Sequence, residues 1–468
     1  MNQPHVLIVG GGIAGIFAAL YSKTQHPNIR VTLIEQANQL GGLLASKRYG
    51  GIEFDYGTHV PRTTLIPEID SLLFAGLKDE HWRQFQDINA GNVSLDAHLY
   101  PFSANPFLAT HSNDAVSMQL NHMQTARVEQ PDWPSLHTQL NEQFGSDLVY
   151  RFFAPCLRKK LGVELTDLAV DSHKLIGLSR VILGDSKLMS TLKKDPRLDM
   201  LLAFANQTQG MSKAMNMYPK INRGIGYWIA LLHKQAINLG VEIHLQTTVK
   251  QFKLSDGAIT HVELKGHNIE RVDHVCWTSP SALLFKACGQ DPQSTFKPTI
   301  RSTRLFHFTF AQPFLSDNNY IDVNDPQCDA FRVTLYPNLR QIHYAPYACT
   351  VEVIINQYTQ NCSWQSIAAE LVSMGIVAAE NSILLHVEDE IKAGFPIMSP
   401  EFFEESLAMA TRAQAAFKNI TLLGKASGRV FFMQDVLIDC VAQLDQALAC
   451  YQLLNKLTDT LSDKLANK

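Results

Sequence analysis

The 468-residue chain has little of what marks several large functional classes. Charged residues make up 18% and the formal charge is −4, so no basic surface points to a nucleic-acid partner, and runs such as LRKKLG are too short to change that. No uninterrupted apolar stretch approaches the roughly 20 residues that span a bilayer. The eight cysteines are scattered, with no CxxC pair and no histidine cluster beside them, which argues against a zinc site and a disulfide framework and fits a reducing cytoplasm. The opening MNQPH lacks the charged n-region and cleavage site of a secretory signal, so a cytoplasmic location is expected. Paired carboxylates, a nucleophile triad and metal-ligand spacing are also missing, and no metal site is expected. A cofactor is therefore expected to carry the chemistry while the protein positions it. The Met- and Leu-containing stretch 176–218 leaves peripheral membrane contact open, against the plainer reading of packed helices.

What the chain does have begins at residue 6 with VLIVGGGIAGIFAALYS. HVLIV (5–9) is a continuous aliphatic run of the kind buried in a parallel sheet, Ile13–Tyr21 has helical periodicity, and IRVTLIEQ supplies a second strand. Gly10-x-Gly12-x-x-Gly15 then matches a phosphate-binding turn. Gly10 permits a tight exit from the strand, Gly12 admits a pyrophosphate close to the backbone, and Gly15 lets helix pack on strand. The helix start at Ile13 and Ala14 presents free N–H groups to the phosphates. Glu35, 20 residues past Gly15, stands where a carboxylate accepts hydrogen bonds from ribose hydroxyls and repels a 2′-phosphate, which disfavours NADP. The fingerprint alone does not separate FAD from NAD.

Farther on, residues 66–219 are mostly helical in pattern. GVEIHLQTTVKQFKLSDGAITHVELKG reads as strands with a hairpin turn at Asp256-Gly257, and STRLFHFTFA, CDAFRVTLYP and CTVEVIINQY read as strands. SWQSIAAELVSMG reads as a helix, NITLLG as the last sheet strand, and a closing helix is expected from about Val436 to Leu454. At Gly424 a strand ends where backbone can meet a pyrophosphate. The helix entered through Gln434, Asp435 and Val436 aims its N-terminus over the sheet, and Asp435 serves equally as its N-cap.

The segments EQANQLGGLLAS, with Gly41, Gly42 and Leu43, and GIEFDYGTHVPRTT resemble the flavin-containing amine oxidase and protoporphyrinogen oxidase superfamily, including its UDP-galactopyranose mutase branch. NRGIGYWIALLHKQAINLGVEIHLQTTVKQF, DHVCWTSP and ITLLGKASGRVFFMQDVLI are similar to further segments of that family, the last with Lys425 in place of arginine. The resemblance implies an α/β fold: a Rossmann-like FAD-binding domain of the GR2 type with an inserted mixed α+β substrate domain. It places the FAD-binding domain at 1–65, 220–290 and 418–468, and the substrate domain at 66–219 and 291–417. It implies FAD as cofactor, backbone contact to adenine at Val249, and His59 against the flavin. In the mutase branch AFRVTLYPNL resembles a segment whose arginine, here Arg332, grips a nucleotide diphosphate; HLYPFSANPF (98–107) resembles that branch's Pro-Phe loop. Arg180, Arg301 and Arg304 are candidates for a second diphosphate arginine, whereas Phe395 and Met398 depart from the branch.

Each of these residues also has a plainer reading. His59 reads as a turn residue bonded to backbone, Arg332 as a solvent-facing strand residue, and Tyr227, Trp228 and Tyr336 as either pocket lining or core. The expected catalytic set is His59, Arg332 and Tyr336. The expected function is an FAD-dependent oxidoreductase taking hydride from a small molecule. The alternatives are a flavin-dependent mutase acting on a nucleotide sugar and a non-catalytic FAD-binding protein.

Overall fold

The computed structural model describes residues 3–466 apart from 78–79, 96, 101–112, 126–132, 204–213 and 267–268. The Pro-Phe loop (98–107) and the stretch 176–218 thus fall partly outside the described residues.

The first strand, β1 (His5–Val9), is buried along its whole length, as its unbroken aliphatic run requires. Helix α1 (Ile13–Gln25) crosses over to β2 (Arg30–Ile34), which pairs with β1 in parallel. Three more parallel strands complete a five-stranded sheet in the order Ile420–Leu422, His274–Trp277, β1, β2, Glu242–His244. This doubly wound arrangement is the Rossmann-like unit anticipated from the opening residues. The expected hairpin is present: strands Val249–Ser255 and Ala258–Leu264 join through Asp256 and Gly257, both at positive φ. The closing helix begins at Met433 and extends to Ala466, twelve residues beyond its expected end at 454.

The second large element is a seven-stranded, mainly antiparallel sheet. Its order is Ile383–Pro396, Ile300–Phe310, Tyr347–Ile354, Arg332–Leu335, Tyr320–Val323, Ala90–Val93, Leu99–Tyr100. A helical cluster built on Leu140, Phe144, Phe153 and Leu157 packs beside it. The helix Pro400–Ala416 buries Ala410 and Ala413 in the same cluster as Val275 and Leu422 of the parallel sheet, so it packs with the dinucleotide-binding unit. The hairpin Ser46–Tyr49/Ile52–Asp55 leads from the parallel sheet to the larger one. Among the described residues no helix is long and apolar enough to cross a membrane.

Candidate functional site

The glycine turn has the geometry its spacing predicts. A methyl on Gly15 would lie 1.9 Å from the Gly10 carbonyl oxygen, so only glycine lets α1 pack against the strand exit. A methyl on Gly10 would meet the Thr278 hydroxyl at 2.2 Å. Around Gly12 there is open space for 4 Å, although its backbone is ordinary extended chain (φ −71°, ψ 179°). A side chain there would fill the place at the α1 N-terminus that a pyrophosphate takes.

The second glycine pair closes over the first. Gly41 forms a parallel bridge with Gly12, and its N–H donates to the Gly11 carbonyl at 2.8 Å. Glu35 reaches back to the same turn, its carboxylate accepting from the N–H of Gly11 at 2.7 Å and of Ala37 at 2.8 Å. Those bonds fix both oxygens and leave lone pairs free for ribose hydroxyls. Thr247 donates to the Glu35 carbonyl, which brings the chain before Val249 alongside. At the far end Gly424 sits 3.1 Å, measured from a built Cβ, from the Ala14 side chain. Gln434 and Asp435 are exposed in the first turn of the closing helix, and Val436 is buried. Asp435 lies inside that turn, two residues past its first residue Met433, and so is not the cap. These residues fit a dinucleotide.

His59, Arg332 and Tyr336 converge on the segment 55–59, in different roles. Gly57 (φ +115°) brings this segment against the larger sheet, where a built Cβ would touch the Glu352 carboxylate at 2.5 Å. Thr58 donates its N–H to Glu352 at 3.1 Å and shares a 2.6 Å hydroxyl contact with Thr334. His59 follows, its ring bonded to the Tyr56 backbone. Burial, helped by the charges of Arg332 and Lys425, pulls its imidazole down to about 4, so it is neutral at pH 7. The bond to the Tyr56 backbone is the one the turn-residue reading expects.

Arg332 does not face solvent. Strand register sets it directly between Asp322 and Glu352 on neighbouring strands. Its Nε lies 3.2 Å from Asp322, and its guanidinium rests 4.7 Å from the centre of the Phe331 ring. Burial opposes its charge, but the carboxylates of Glu352 and Asp322 more than offset this and hold it above its ordinary value. Burial in turn lifts the Glu352 carboxyl, with Arg332 and the Thr58 N–H pulling it back.

Tyr336 is the correction in this set. It is fully buried, its hydroxyl accepts from the Asp55 N–H and contacts Thr350, both at 2.8 Å, and its ring meets Phe54 edge-on. It positions the segment from the core and has no face open to a substrate. Trp228, stacked on Phe74, and Tyr227, stacked on Trp82, are likewise packing residues. Among the candidate diphosphate arginines, Arg301 donates to the Leu161 carbonyl and Arg304 pairs with Glu388, so neither joins Arg332. Phe395 packs edge-on against Phe331 and Met398 is buried.

Sequence reasoning passed over Asp55, Asp322 and Glu352. Asp55 is buried and accepts from Tyr218 at 2.5 Å, Ser46 at 2.7 Å and the Ile225 N–H at 2.8 Å, which locks the hairpin to the helix Gly226–Asn238. Burial raises its pKa against those bonds. The signal for Glu352 was a lone acid amid the aliphatic run ACTVEVII.

A cavity of about 740 Å³ opens beside Leu43, Thr278, Lys425 and Asp435 at the C-terminal ends of the parallel strands, the place where open α/β sheets bind ligands.

The parallel sheet, its glycine turns and the second, mainly antiparallel sheet define a dinucleotide-binding fold of the Rossmann-like kind. Residues 8–69 match the NAD(P)-binding Rossmann-like domain family. The chain is 25% identical over 330 residues to coproporphyrinogen III oxidase of Staphylococcus aureus, covering 64% of this chain and 66%, just under two thirds, of that enzyme. A crystal structure of reduced UDP-galactopyranose mutase matches with a TM-score of 0.73 at 15% identity, covering 96% of this chain and 95% of that one. A protoporphyrinogen oxidase homologue from Exiguobacterium sp. matches with a TM-score of 0.65 at 18% identity, covering 97% and 99%. The chain thus resembles the flavin-containing amine oxidase and protoporphyrinogen oxidase superfamily in sequence and in fold, with the mutase among its structural neighbours.

Proposed function

We propose that this protein is an FAD-dependent oxidoreductase that removes hydride from a small organic substrate. The observation that carries the choice is the Asp322–Arg332–Glu352 row. A mutase-type arginine must offer its charge to a diphosphate, but this one already faces two carboxylates, which would repel the incoming phosphates. Of the candidate second arginines, Arg301 and Arg304 are engaged elsewhere. The oxidase relative of Staphylococcus aureus supports the same reading.

FAD, when bound, supplies hydride acceptance at its N5 atom. Glu35 would hold the adenosine ribose, Gly12 and the α1 N-terminus the pyrophosphate, and the closing-helix N-terminus around Asp435 the far end of the isoalloxazine. Neutral His59, on the segment that Gly57 and Thr58 dock against the larger sheet, would offer an uncharged ring to the reacting region. It neither repels a cationic substrate nor competes for an anionic one.

The test is anaerobic incubation of the FAD-loaded protein with amines, porphyrinogens and nucleotide sugars, oxidised and dithionite-reduced in parallel. Bleaching of the oxidised flavin by a donor, with a two-electron-oxidised product, supports the oxidoreductase. A sugar isomer formed only by the reduced protein, without net electron transfer, overturns it in favour of the mutase. Bound flavin that no donor reduces overturns it in favour of a binding protein.

A further inference from the structure

The 740 Å³ cavity extends away from the glycine cradle, toward Phe296 and Ile300 on one side and the helix Pro400–Ala416 on the other. Its walls are largely apolar, with Phe296, Ile300, Phe402, Phe403, Phe431 and Phe432 on them. Its charges do not cancel. Asp171 is paired with Lys174 at 2.8 Å, and Glu405 is paired with Arg412. Asp435 sits in the first turn of a helix, whose N-terminal dipole compensates it. Lys425 and Arg429 remain. Neither has a carboxylate partner among the described residues, and the Lys425 ammonium instead lies 4.6 Å from the centre of the Phe431 ring. Both side chains are exposed at the cavity rim, so their charges stay hydrated and stand free to meet an anion whose apolar part enters the cavity.

We infer that the cavity receives an amphiphilic anion, a small molecule with an apolar body against the phenylalanines and one carboxylate or similar group at Lys425 and Arg429. The inference rests on the oxidoreductase reading for treating this ligand as the substrate. The anion at Lys425 has one other conceivable source, the diphosphate of the cofactor, and the experiment separates the two.

The experiment is isothermal titration of the FAD-loaded protein with decanoate and with decylamine, both below micelle formation. Decanoate is expected to bind at least about tenfold more tightly than decylamine, the order that one charge-assisted contact sets. Lys425→Ala is expected to weaken decanoate by about tenfold or more at unchanged flavin content, and Arg429→Gln, on an exposed residue, to weaken it without disturbing the fold. Equal affinities, or tighter decylamine, would overturn the inference, as would variants that leave decanoate binding unchanged. Flavin loss in Lys425→Ala with normal decanoate affinity in the retained holoprotein would assign the cation to the cofactor and also overturn it. Because heat of binding is read without turnover, failure here is distinct from failure of the oxidoreductase reading, which flavin bleaching reports.

Discussion

Gly12 and Gly15 stand three residues apart in one turn, and a methyl group on each has opposite consequences. At Gly15 it would press on the Gly10 carbonyl, backbone that cannot yield cheaply. Gly15→Ala is therefore expected to cost about 3 kcal/mol or more of folding stability, measured by urea denaturation. At Gly12 the backbone suits alanine and nothing is near, so Gly12→Ala is expected to keep or slightly raise the melting temperature of the flavin-free protein while abolishing flavin retention. Glu35→Ala would remove the acceptor proposed for the two ribose hydroxyls, and on that proposal flavin affinity should fall by roughly 100-fold in an equilibrium titration. The glycine turn and Glu35 were legible in the sequence because this part of the cradle, from Gly10 to Gly42, lies within about 35 residues and works mainly through backbone atoms. Tyr336 was not: an aromatic residue in a strand-like stretch reads the same whether its hydroxyl meets a substrate or the Asp55 N–H.

At the scale of elements, the strand pairing decides what Arg332 is. Its neighbours Asp322 and Glu352 lie 10 and 20 residues away, and only the register of Tyr320–Val323, Arg332–Leu335 and Tyr347–Ile354 sets the three side by side. The sequence marked the arginine but not the acids that occupy it, since alternation reveals a face without revealing which strand lies next to which. Arg332→Ala would leave the buried carboxyls of Asp322 and Glu352 without the cation between them and is expected to lower stability by about 3–5 kcal/mol in urea. An arginine reserved for a diphosphate would lower ligand affinity instead and leave the denaturation midpoint in place. The closing helix shows the same boundary of legibility: its existence was plain, but its true first residue, Met433, moved Asp435 from the cap into the first turn.

For the molecule as a whole, three histidines, His59, His173 and His274, are each brought down to about 4 chiefly by burial. Unfolded, they titrate at their ordinary 6.5. Between those values the unfolded chain binds more protons than the folded one, so stability is full above pH 6.5 and falls as the pH drops toward 4. Each histidine contributes up to roughly 1.4 kcal/mol per pH unit within that window. A series of melting curves from pH 7.5 to 4 should decline most steeply below 6.5, and the slope should lessen in His274→Gln, whose partner Thr421 still finds a hydrogen bond.

The parallel sheet is also assembled from both halves of the chain, since the strand Ile420–Leu422 docks on His274–Trp277 after about 140 intervening residues. On a ribosome adding about 5–20 residues per second, the edge of His274–Trp277 waits roughly 7 to 30 seconds for its neighbour. During that interval the nascent chain offers a bare, fully buried-type strand to any passing partner. Yield in the cell should therefore depend on chaperone supply and translation speed across 278–419 as much as on the stability of the finished fold.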